Sequence, residues 1–160
     1  MRFLVGETKD AGEFQPFVHS LSSNISVRAN QNRMTIPLPA KNDEIRRVLL
    51  KEKFDVLHIQ APFSPMLGSK VIRLAEKSTG IVSSFHIDID GWFWRLGLKA
   101  LGLVQKSTIN KIDKYLAVSL AGQAMAKSYF PEEPELLPNV VAVKKFKKAI
   151  NSKHANKIVF

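Results

Sequence analysis

Phe54-Asp55-Val56-Leu57-His58-Ile59-Gln60-Ala61-Pro62 lies near the middle of the chain, between two segments of helical period. Residues 54–60 form a short run rich in apolar and β-branched side chains, and a proline follows directly. That pattern predicts a strand of a largely buried sheet. Upstream, Ile45, Val48 and Leu49 share one helical face, and Asn42 stands where a cap is expected. Downstream, residues 64–76 place Leu67, Val71, Leu74 and Ala75 on one helical face, and Gly80 is expected to stop that helix. Residues 81–86 predict a second strand. Residues 92–112 predict a long, mostly helical segment. Residues 115–118 predict a third strand, entered through Asp113, and Ser119 is expected to cap a helix over 120–129.

Strand alternating with helix predicts parallel strands joined by crossovers, hence an α/β doubly wound parallel sheet of Rossmann-like type. Ligands of such sheets bind beyond the carboxyl ends of the strands. That rule points to Gln60-Ala61-Pro62, to residues 86–90 and to Ser119. The beginning of the chain is less regular. Residues 2–5 predict a strand ending at Gly6, and 7–24 show no helical period. Residues 25–28 and 34–38 predict extended pieces around Asn30-Gln31-Asn32, before Pro37 and Pro39 break the chain.

The 160 residues carry a formal charge of +10, and 45% are hydrophobic. Six lysines stand between 144 and 160 without a single acid, so the tail is more basic than the body. Its only aromatics are Phe146 and Phe160. Nucleic-acid recognition would want basic and aromatic residues interleaved on a folded face, so a solvated basic linker is expected instead. There is no cysteine, which excludes disulfides and thiolate metal sites. No run approaches the ~20 apolar residues of a membrane-spanning helix. A charge at the second residue argues against a leader peptide.

Three stretches resemble glycosyltransferase family 4, and within it the phosphatidylinositol mannosyltransferase-like branch. Residues 54–62 resemble the family's "FDVLHVHEP" strand. Ser84-Phe85-His86 resembles its "TFH" strand end. Ala117-Val118-Ser119, with Leu137-Pro138-Asn139 about 20 residues later, resembles "AVS" followed by the hinge "IPNGVD". Residues 28–32 resemble the acceptor loop. The likeness spans residues 25–143 in order. Departures are Ala61 for a glutamate, Val140 for the hinge glycine, and Gly91 for a basic residue. No Gly-Gly loop follows the strand at residues 2–5.

The resemblance implies the acceptor-side domain of a two-domain retaining glycosyltransferase over residues 1–143, with its first strand–helix unit missing. Residues 144–160 would be a basic linker and the start of an absent donor-binding domain. It implies transfer of a hexose such as mannose from a nucleotide-sugar to a lipid-linked acceptor such as phosphatidylinositol, without a cofactor. The site would lie on the cytoplasmic, inner face of the cell membrane. His86 would then sit beside the reacting sugar, and Asn30, Asn32, Arg33 and Gln60 would bind the acceptor. Trp92, Trp94, Arg95, Lys99 and Lys106 lie in an aromatic, basic, amphipathic segment suited to an anionic membrane surface. Asp88 and Asp90 are expected to open a helix rather than to hold a metal, because two carboxylates leave a hard cation short of ligands. His58 is expected to be structural. The alternative is a non-catalytic Rossmann-like binding module. A dinucleotide oxidoreductase is disfavoured because no strand is followed by G-x-G-x-x-G.

Overall fold

A computed structural model describes residues 1–29, 32–60, 64, 66–86 and 92–145; at 27–29, 32–34, 36, 92–95, 98 and 145 only the backbone belongs to that description. β1 (Phe3–Val5) and β2 (Val18–Ser20) pair in parallel. A 3₁₀ turn at Gly12–Phe17 joins them. Its start is fixed locally, by Gly12 N–H donating to Asp10 Oδ1 at 2.7 Å and Ala11 N–H to Gln15 Oε1 at 3.1 Å. The expectation of an irregular 7–24 segment therefore needs correcting. β3 (Asn24–Ala29) and β4 (Asn32–Pro37) form an antiparallel pair. Gly6 lies against this pair: a Cβ there would stand 2.7 Å from Pro37 Cβ and collide with the Asn24 carboxamide.

The regular part follows. α1 (Asn42–Glu52), β5 (Val56–Gln60), α2 (Gly68–Leu74) and β6 (Gly80–Phe85) come in sequence. α3 (Trp92–Val104), α4 (Lys106–Ile109), β7 (Lys114–Ala117), α5 (Leu120–Ala126) and β8 (Glu135–Leu136) complete it. β5, β6, β7 and β8 lie side by side in that order and all are parallel. This is the Rossmann-like α/β arrangement that the alternation predicts. Asn42 is the first helical residue of α1 rather than its cap, and the residue before it, Lys41, offers no capping side chain. α1 closes on Lys53 in the left-handed region at φ 47°, with its N–H donating to Leu49 O at 3.0 Å. α2 ends at Leu74, with five residues between it and the start of β6 at Gly80. The expected 92–112 helix is broken at Gln105 into α3 and α4. Ser119 caps α5 as expected, its Oγ accepting from Gly122 N–H at 3.1 Å.

Register divides the sheet into two unlike faces. Leu57 stands opposite Ile81, Ile59 opposite Ser83, Ser83 opposite Tyr115, and Phe85 opposite Ala117. All seven are buried. Except for Ser83 and Ala117, they join one cluster with Ile45, Val48 and Leu49 of α1, Val71 and Ile72 of α2, Ile109 of α4 and Met125 of α5. Full burial of each such side chain contributes about 1.5–3 kcal/mol. Phe130 closes the cluster, edge-on to Phe85 at 6.0 Å between ring centroids and tilted on Tyr115 at 4.4 Å. Asp113 fastens the amino ends of β6 and β7: its Oδ2 accepts from Ile81 N–H at 2.7 Å, and its own N–H donates to Ile81 O at 2.8 Å.

The opposite face carries Val56, His58 and Gln60 of β5, Val82 and Ser84 of β6, and Lys114 and Leu116 of β7. Val56 is 59% exposed, His58 and Gln60 are exposed, and Val82 and Leu116 are half-buried. None of these apolar residues joins the core cluster. β5 is therefore open on one face, and the expectation that its strand is buried is corrected. His58 is on the open side.

Candidate active site

The carboxyl end of the sheet is built by three strand ends. β5 finishes with Gln60, β6 with Phe85 followed by His86, and β7 with Ala117 followed by Val118. Val118 N–H donates to Phe85 O at 3.3 Å and Leu137 N–H to Ala117 O at 2.8 Å, which holds these ends together. Phe85 is 1% exposed and anchors the end of β6 in the core. The residue after it, His86, is exposed. Packing of Phe85 thus fixes the backbone from which His86 projects. α5 starts at the same end: a Cβ on Gly122 would lie 3.7 Å from Phe85 O, so its first turn sits against the end of β6.

Gln60 stands directly opposite Ser84 in register. Ser84 is 4% exposed, and its Oγ lies 2.6 Å from His58 Nε2, one pair back along β5. His58, Gln60 and Ser84 therefore form one polar patch on the open face, next to the strand end that carries His86. Alternation places the patch there. A strand with apolar residues at 57 and 59 and polar ones at 58 and 60 turns both polar side chains to the same side. The pairing of Ser84 with His58 was not foreseen from sequence, although that alternation signalled an exposed His58.

Chemically, the patch offers hydrogen-bonding groups rather than a charge cluster. The Gln60 amide both donates and accepts, and an imidazole can do either according to tautomer. Such groups suit a polyhydroxylated ligand. Among the described residues no group of three His, Cys, Asp or Glu could hold a metal ion. Asp88 and Asp90 lie outside the described residues.

The remaining expected residues fall elsewhere. Asn32 and Arg33 lie on β4, in the separate two-stranded sheet, and Asn30 lies outside the described residues. Trp92, Trp94 and Arg95 begin α3, and Lys99 and Lys106 are exposed on α3 and α4. Leu96 and Leu103 are 58% and 75% exposed on the same helix as Lys99, while Leu101 packs on the core. Among the described residues, no helix is long and apolar enough to cross a membrane.

No curated protein matches the chain. Residues 6–145, most of its length, match the sequence model of Glycosyltransferase Family 4. With its parallel α/β sheet and the polar patch at the strand ends, the chain belongs to glycosyltransferase family 4.

Proposed function

We propose that this domain is the acceptor side of a retaining hexosyltransferase that moves a sugar such as mannose from a nucleotide-sugar to a lipid-linked acceptor such as phosphatidylinositol. A glycosyltransferase domain has to hold a donor or an acceptor. The observation that favours the acceptor is the patch of His58, Gln60 and Ser84 beside His86, which is polar yet free of a charge cluster. Hydroxyl groups of an acceptor suit it better than a diphosphate does, because a diphosphate calls for cationic or metal partners. In this reading Gln60 orients the acceptor. His86 hydrogen-bonds the reacting sugar, and Asn30, Asn32 and Arg33 take the acceptor's polar head. The donor diphosphate is held by a separate nucleotide-sugar-binding domain.

The lipid part of the proposal rests on α3. Leu96 and Leu103 are exposed on it together with Lys99, and Lys106 follows on α4. Apolar side chains flanked by lysines suit the interface of an anionic membrane, with Trp92, Trp94 and Arg95 in the first turn of α3. Each basic residue near such a surface contributes about 1 kcal/mol, screened by salt. The domain would thus work at the inner membrane face.

The test is nucleotide release from a panel of nucleotide-sugars by this domain joined to a nucleotide-sugar-binding domain. Vesicles with and without phosphatidylinositol serve as acceptor. Release that requires the lipid supports the proposal. Lipid binding without any release returns the chain to a non-catalytic binding module.

A further inference from the structure

A cleft lies away from the polar patch, between α1 and α2. It has a volume of about 220 Å³ and is lined by Asn42, Lys70, Arg73 and Leu74. The cleft opens to solvent and is large enough to admit a small polyatomic ion. Two of its four walls are cationic and none is acidic. The neighbouring acids are turned to other cations: Asp43 to Arg46 at 3.5 Å, and Glu44 to Lys41 at 4.0 Å.

The donors of the cleft are only partly used. Lys70 Nζ gives one hydrogen bond, to Ala40 O at 2.7 Å, and Ala40 is 2% exposed. This bond holds the ammonium in place and leaves two of its N–H groups available. Lys111 Nζ donates to Arg73 O at 3.0 Å, which steadies the end of α2 that carries Arg73. Among the described residues neither the Arg73 guanidinium nor the Asn42 amide has a hydrogen-bond or ion-pair partner. A planar fork of donors, a fixed ammonium and an amide thus border one cavity.

We propose that this cleft binds a phosphate-class anion, and that Arg73 and Lys70 are its main ligands. A guanidinium engages two phosphate oxygens at once, while an ammonium supplies a compact charge to a third. Leu74 gives the cleft one apolar wall, on which an ester substituent can lie. The proposal is independent of the transfer reaction, because none of the four lining residues belongs to the polar patch. The phosphate can be free in solution or the head of a lipid.

Inorganic phosphate at constant ionic strength, followed by amide NMR of the 160-residue chain, is the first arm. Saturable shifts at Asn42, Lys70 and Arg73 are expected, weakened about tenfold by Arg73→Gln and left unchanged by Lys9→Gln. The second arm is sedimentation with phosphatidylcholine vesicles, with and without phosphatidic acid. Loss of binding on Arg73→Gln in the first arm alone assigns a soluble phosphate, and in the second alone a lipid phosphomonoester. Arg73 is exposed, so its variant is expected to melt with the parent; Lys70→Gln provides a second variant with the same expected loss. Equal binding by parent and Arg73→Gln in both arms, or no saturable binding in either, overturns the proposal.

Discussion

His58 Nε2 and Ser84 Oγ lie 2.6 Å apart across β5 and β6, on the sheet face that the core cluster leaves open. The bond fixes a buried hydroxyl beside Gln60 and aligns an imidazole that would otherwise turn freely in water. A bond of this kind contributes about 1 kcal/mol net, and leaving the buried hydroxyl without its partner costs about 1–3 kcal/mol.

A double-mutant cycle measures the pair. His58→Ala and Ser84→Ala are each expected to lower unfolding free energy by about 1–2 kcal/mol. The double variant should lose less than their sum, with a coupling of about 1 kcal/mol. Denaturant unfolding at neutral pH gives all four values. Strict additivity would mean that the two side chains do not interact.

Tyr115 sets an alkaline limit. Its hydroxyl donates to Ile109 O at 2.8 Å, and burial, helped by the carboxylates of Glu132 and Asp113, pushes its pKa up to about 12. An unfolded tyrosine ionises near pH 10, so the native state holds this proton more tightly. Its stabilising contribution is whole below pH 10 and is lost as pH rises through about 12. Tyr115→Phe should cost about 1 kcal/mol at pH 8 and flatten the decline between pH 10 and 12. Chemical denaturation across that range reads both. An unchanged pH slope in the variant would place the titration elsewhere.

The open sheet face predicts self-association. Val56 is 59% exposed on β5, the edge strand of the four-stranded sheet, and half-buried Val82 and Leu116 continue the apolar strip. Exposed apolar edges template further pairing unless a charge interrupts them. Sedimentation velocity of the isolated chain should show concentration-dependent species, reduced in Val56→Lys. A monomer at every concentration, in parent and variant alike, would mean that this face does not attract a partner.

What the sequence disclosed follows the range of the forces involved. β5, β6 and β7 were legible because each is an apolar run with a turn at its end. The cap at Ser119 was legible because it needs only a hydroxyl three residues before an amide. β2 was hidden: three residues become a strand only by pairing with β1, fifteen positions earlier. The 3₁₀ turn before it depends on the side chains of Asp10 and Gln15 rather than on a period. The break at Gln105 interrupts an otherwise continuous helical pattern. The positions of Gln60 at the end of β5 and of His86 just after β6 followed from the strand-end rule. That of Ser84 did not, because nothing local marks which serine of Ser83-Ser84 faces His58. Ser83 faces the core at 1% exposure.

The carboxyl end of this sheet, with His86 on it, is proposed to take part in sugar transfer. The most direct measurement is steady-state transfer to the lipid acceptor by this domain joined to a nucleotide-sugar-binding domain, comparing parent with His86→Ala and Asn30→Ala. Transfer requires both substrates held in reacting geometry, so the 160-residue chain alone is expected to give no turnover. In the joined enzyme, His86→Ala should lower kcat on the order of 10²-fold. Asn30→Ala should chiefly raise KM. Full activity in the His86→Ala enzyme would leave His86 a structural residue and place the transfer chemistry elsewhere.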